Sequence, residues 1–185
     1  MDDVLVIGGG PSLQTTHWRH LLTEMPSIAI NHHAWSKEGI ATDHFVQGDP
    51  PMPGDYTPVP VLEDETCAKY FMDMPGYRER VSQYPNVTML PEWSDFDRFH
   101  GLRWSDAGTC AYHMEVLCTM NVCLRLLCGL KLRALHLVGV DLKGGEYKNH
   151  RVWLSKVVPE LSKHWGMTFT SLAKDNTVEC FESAA

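Results

Sequence analysis

Apolar positions in this chain fall into short unbroken runs and into longer stretches spaced by three to four. Val4-Leu-Val-Ile7 carries no polar interruption, the pattern of a strand buried on both faces of a parallel sheet. Gly8-Gly9-Gly10 follows at once, then Pro11 and Ser12. From Leu13 to Glu24 the apolar positions Leu13, Trp18, Leu21 and Leu22 suit an amphipathic helix, which Met25-Pro26 ends. Ser27–Asn31 reads as a second strand, His32 to Gly39 as a short helix, and Asp43–Gln47 as a third strand running into the turn Gly48-Asp49-Pro50-Pro51. Strands alternating with helices at this spacing predict a parallel sheet joined by right-handed crossovers.

From Pro50 to Asp106 the pattern weakens under repeated prolines and scattered aromatics. Val59–Leu62 and Val87–Leu90 read as strands, and Tyr77–Gln83 as a helical turn or two. An irregular segment of this length inside a domain reads as a functional loop or lid. Ala107–Gly129 is the strongest helix signal, with Met114, Leu117, Cys118, Leu124, Leu127 and Cys128 at core spacing. Ala134–Asp141 is a strand ending in an acid, Asn149–Trp165 a helix that Pro159 kinks or divides, and Met167–Leu172 a last strand. The expected architecture is α/β: a Rossmann-like three-layer sandwich with a mostly parallel central sheet. It forms one domain over 1–185 with an irregular lid-like insertion at about 50–105.

The composition narrows the function classes. A chain of 185 residues with 44% hydrophobic and 21% charged residues is an ordinary globular domain. Its net charge of −7 argues against broad nucleic-acid binding. No apolar run approaches the roughly 20 residues of a membrane span, and the opening Met1-Asp2-Asp3 shows no signal peptide. The six cysteines include no C-x-x-C pair, so neither a zinc site nor a disulfide framework is expected, and a reducing cytoplasm is the natural setting. The oligomeric state is left open, a homo-oligomer included.

The glycine turn is the first candidate site. Strand, glycine turn and helix aim backbone N–H groups and a helix dipole at a phosphate; a plain tight turn is the alternative. Pro11 would sit in the first helical turn and Ser12 could cap it. A dinucleotide fingerprint is excluded, because Leu13 holds the third glycine position and Asn31, not an acid, closes the second strand. A Walker loop is excluded because no Gly-Lys-Ser/Thr follows. Ligands in open α/β sheets bind beyond the carboxyl ends of the strands, and those ends carry Gly8–Ser12, Asn31, Asp49 and Asp141. Taken singly, Asp49 and Asp141 read equally well as turn formers. No pair of the ten histidines is spaced as a metal site. His150 stands apart because it follows the Gly144-Gly145 loop at the mouth of the expected cleft, where a proton carrier belongs.

Together, Val6-Ile-Gly-Gly-Gly-Pro-Ser-Leu13, Ala29-Ile-Asn31, Ala107-Gly108-Thr109 and Leu137-Val-Gly-Val-Asp-Leu142 resemble the bacterial lipooligosaccharide sialyltransferases. They are also similar to the archaeal hydroxymethylpterin diphosphokinase-like proteins and to flagellin-modification accessory proteins. The resemblance covers Val4–Asp49 and Asp106–Leu172. It implies that Gly8, Gly10, Ser12 and Asn31 bind a nucleotide donor, that Tyr147 contacts its phosphate, and that His150 acts as general base; Gly9, Pro11, Asp49 and Gly108 are counted with the donor-binding residues, and Asp141 with His150 in the catalytic set. Gly9 and Asp49 stand where the sialyltransferases have asparagine, and Ala107 where they have serine. An acid at position 49 is closer to the diphosphokinase-like branch, where Asp49 and Asp141 would hold Mg²⁺. The expected function is therefore a nucleotide-dependent transferase, first a glycosyltransferase using a nucleotide-sugar donor. A Mg²⁺-dependent phosphoryl or pyrophosphoryl transferase and a non-catalytic nucleotide or sugar-phosphate binder are the alternatives. No tightly bound cofactor is implied; the donor is a substrate, and the acceptor is not specified.

Overall fold

The structure, a computed structural model, describes residues 3–31, 38–47, 59–73, 78–90, 134–175 and 178–184. The apolar run at the start becomes β1 (Asp3–Ile7) and lies at the centre of the sheet. Around it stand β2 (Ser27–Ile30), β3 (His44–Gln47), β4 (Ala68–Met72), β5 (Val87–Leu90), β6 (Ala134–Val138), β7 (Thr168–Ser171) and β8 (Glu182–Ser183). The order across the sheet is β5-β4-β3-β2-β1-β6-β7-β8. Every pairing is parallel, β1 aligning Ile7 with Ala29 on one side and with Val138 on the other.

Side-chain alternation along β1 explains its unbroken hydrophobicity. Val4 and Val6 join one core with Ile28, Ile30, Leu135 and Leu137, while Leu5 and Ile7 join the other with Ala29, Phe45 and Phe71. Both cores are covered by helices, which makes the α/β, Rossmann-like sandwich that the strand–helix alternation predicts. The first core is closed by the long helix Lys148–Trp165, which buries Leu154, Val157, Val158 and Leu161 at helical spacing. Pro159 lies inside this helix without ending it. A proline there costs about 3 kcal/mol, whereas burying four large apolar side chains returns about 1.5–3 kcal/mol each, so packing prevails. Gly166 stops the helix at φ 65°, its N–H donating to the Ser162 carbonyl at 3.1 Å.

Three expectations are corrected. The helix read over Leu13–Glu24 is a single turn, Ser12–Thr15, followed by a 3₁₀ segment, Arg19–Thr23. Thr16 turns extended between them (φ −114°, ψ 142°), and Trp18 folds back into the core with its indole N–H on the Leu13 carbonyl at 3.0 Å. Val59–Glu63 is a helix rather than a strand; Pro60 suits a first helical turn, and Val61 and Leu62 are buried. The stretch read as an irregular lid-like insertion adds two strands to the sheet: β5, at Val87–Leu90 as read, and β4, which the reading missed. Lys69 in the middle of β4 disguised that strand, and the prolines that broke the pattern include Pro60 in a helix and Pro85 in the turn before β5. The expected helices at His32–Gly39 and Ala107–Gly129 fall largely or wholly outside the described residues.

Candidate functional site at the switch point of the sheet

From β1 the chain adds β2, β3, β4 and β5 on one side of the sheet and then returns to place β6 on the other. The strand order therefore reverses between β1 and β6, and the crevice this opens at their carboxyl ends is where α/β sheets take ligands. The loops that line it are the ones following Ile7 and Val138.

These two loops are interlocked. The Gly8 N–H donates to the Val138 carbonyl at 2.8 Å and the Gly10 N–H to the Gly139 carbonyl at 2.7 Å. The Ser12 N–H donates to Asp141 Oδ2 at 2.7 Å, and the Gly139 N–H donates to Ser12 Oγ at 2.8 Å. Asp141 is only 4% exposed. It does for Ser12 what an N-cap side chain does locally, from the far end of the chain, while Pro11 occupies the cap position with no side chain to bond.

Close approach of the loops is the physical reason for two of the glycines. A Cβ on Gly8 would lie 2.3 Å from the Gly139 oxygen, and one on Gly10 would lie 2.5 Å from Asp141 Oδ2. The amides of Gly8, Gly10 and Ser12 are thus engaged by the β6 loop. Among the described residues the exposed Gly9 has no such backbone partner. With only four residues, the helix after the loop contributes little macrodipole. Asn31, at the end of β2, adopts φ 62° and donates its N–H to the Val46 carbonyl at 3.0 Å. Asparagine tolerates this left-handed geometry better than most residues.

Beyond Asp141 the loop turns through Leu142 at φ 47° and Gly144 at φ 108°. The left-handed angle costs a leucine about 1–2 kcal/mol. Arg151, one residue past His150 on the long helix, donates to the carbonyls of both Leu142 and Gly144. Tyr147 and His150 sit edge to face with ring centroids 5.7 Å apart, and Tyr147 is 39% exposed. No acidic residue occupies the first turn of this helix, whereas Lys148 and Arg151 do, and Lys143 precedes them. In a chain of net charge −7 this segment is locally basic, with Lys143, Lys148 and Arg151 against Glu146.

Of the residues singled out in the sequence, Gly8, Gly10, Ser12 and Asp141 belong to one hydrogen-bonded unit, and Tyr147 and His150 form a separate ring pair; Gly9 and Pro11 lie on the first unit's exposed rim. Asp49 and Gly108 lie outside the described residues. Three participants were given no role of their own in the sequence reading: Gly139 and Leu142, which stood only within the Leu137–Leu142 motif, and Arg151. Gly139 carried a signal, a glycine at a strand end before an acid, and Arg151 another, a cation where helices favour acids. Cysteine chemistry has no foothold at the described thiols, since burial pushes Cys67 up to about 12 and Cys180 up to about 11.

No protein family and no curated protein matches this chain by sequence. Solved structures do match it. The sialyltransferase CstII from Campylobacter jejuni in complex with cytidine-5'-monophosphate is 12% identical with a TM-score of 0.65, over 98% of this chain and 84% of that one. The same enzyme in complex with CMP-3FNeuAc gives 14% and 0.63, over 100% and 87%. The apo α-2,3-sialyltransferase from Campylobacter jejuni gives 13% and 0.54, over 100% and 80%. The chain has a sialyltransferase-like fold.

Proposed function

We propose that this chain is a sialyltransferase-like glycosyltransferase that takes a CMP-activated sugar as donor. The observation that carries the reading is the switch-point crevice lined by the interlocked Gly8–Ser12 and Gly139–Leu142 loops, in a fold shared over nearly the whole chain with an enzyme seen with CMP. In this reading the donor phosphate meets the Gly9 N–H and the Tyr147 hydroxyl, and Asn31 meets the nucleoside. Asp49 and Gly108 are assigned to the same donor on the sequence motifs alone. Asp141 keeps the Ser12 loop in place. His150 takes the proton of the acceptor hydroxyl as its oxygen bonds to the anomeric carbon, and the bond to the phosphate breaks with its electron pair leaving on CMP. Such base catalysis contributes about 10²–10⁴-fold. The donor is a substrate, no resident cofactor takes part, and a cytoplasmic setting fits such a donor.

The test is thermal stabilisation by cytidine, uridine, guanosine and adenosine mono-, di- and triphosphates, each with Mg²⁺ and with chelator. Ligand at 100 times its dissociation constant stabilises by about 2.7 kcal/mol. A metal-independent shift with cytidine nucleotides is expected, together with turnover of a CMP-activated sugar that His150→Ala abolishes at nearly unchanged CMP affinity. A shift requiring Mg²⁺ and a purine triphosphate would replace this reading by phosphoryl transfer. Binding without turnover, unaffected at His150, would make the chain a non-catalytic binder.

A further inference from the structure

Arg151 is unusually placed. It lies in the first turn of the long helix, where the positive end of the dipole disfavours a cation, and no acid in that turn offsets it. Its guanidinium is instead directed back onto the loop, donating to the Leu142 carbonyl and, at 3.0 Å, to the Gly144 carbonyl. Leu142 has left-handed backbone, a conformation that in a non-glycine residue persists only where neighbours hold it. Both bonds leave one guanidinium nitrogen, Nη1, carried on a longer and more rigid side chain than lysine offers.

The bonds form a continuous mechanical path. The glycine loop is fixed to Asp141 through the Ser12 N–H. Asp141 precedes Leu142 in the chain, Leu142 and Gly144 are fixed to Arg151, and Arg151 adjoins His150, whose ring rests edge-on against Tyr147. We infer that Arg151 is a positioning residue: by clamping the Leu142–Gly144 loop to the helix start, it sets the placement of the Tyr147–His150 pair relative to the Gly8–Ser12 loop. What that pair does rests on the glycosyl-transfer reading, whereas how it is held does not.

The experiment uses the full chain with ¹³C-labelled histidine, comparing wild type, Arg151→Gln and Arg151→Lys, with His150→Gln to assign the signal and Tyr147→Leu as the reference lacking the ring. In ligand-free Arg151→Gln the His150 ring resonance should move towards its position in Tyr147→Leu, and Arg151→Lys should fall between. With a CMP-activated sialic acid as donor, kcat in Arg151→Gln should fall about 10–100-fold, the scale expected for a small misplacement, while CMP affinity stays within about threefold. An unmoved His150 resonance in Arg151→Gln overturns the inference. So does a parallel loss of kcat, CMP affinity and thermal stability with Arg151→Lys no better than Arg151→Gln, since that marks general unfolding. A wild type inert towards the CMP donor refutes glycosyl transfer, and the resonance still decides the role of Arg151.

Discussion

Asp141 Oδ2 accepts the Ser12 N–H at 2.7 Å in a place almost closed to water. A buried donor stripped of its acceptor costs about 1–3 kcal/mol, so Asp141→Ala should lower the urea-unfolding free energy by that amount. Asp141→Asn keeps an acceptor oxygen and should stay within about 1 kcal/mol of wild type. The pair of variants separates two roles for the carboxylate. Lost turnover in a stable Asp141→Asn would mark a group acting on substrate; retained turnover would mark a latch between loops. The same contact explains Gly10, because a side chain there would meet the Asp141 carboxylate before any ligand.

At the scale of the element, β4 shows how a charge can sit inside a sheet. Lys69 is fully buried, and its ammonium donates to the carbonyls of Asp64 at 2.5 Å, Cys67 at 2.9 Å and Pro85 at 2.9 Å. It fastens the turn before β4 to the turn before β5. Hydrogen bonds of this charge-assisted kind offset the desolvation of the ammonium. Lys69→Met fits the space and strands three carbonyls, so a loss of about 2–4 kcal/mol is expected by chemical denaturation. A Met variant as stable as wild type would show that the cage contributes nothing. The strand was illegible for the same reason: a lysine in mid-run reads as solvent-facing until the carbonyls around it are known.

For the molecule as a whole, the stability–pH curve carries a contribution from His44 at the start of β3. Burial lowers its pKa below 6.5, with Asp43 pulling weakly the other way. The unfolded chain therefore binds this proton more readily than the folded one, and the contribution is present above pH 6.5 and lost as pH falls below that through the folded value. The midpoint of thermal unfolding should drop between about pH 6.5 and 5, and drop less in His44→Gln. Equal slopes in the two proteins would remove His44 from the account. Across the described residues no helix is long and apolar enough to cross a membrane.

Local pattern was sufficient for β1, whose four apolar residues had to be buried on both faces, and for the glycine turn, Asn31 and the acid after β6 as ends of parallel strands. Hydrophobic periodicity and turn chemistry act over a few residues, and they fix such elements wherever the chain goes. The partners of those ends were decided only by tertiary structure. Ser12 and Asp141 are 129 positions apart, and they meet because β6 joins β1 on the side that β2 does not occupy. That choice of side turns Gly8 and Gly10 from flexible punctuation into the contact surface of a second loop. Short-range sequence signals carry burial and backbone conformation; the order of strands, on which every one of these contacts depends, follows from how the whole hydrophobic surface is packed at once.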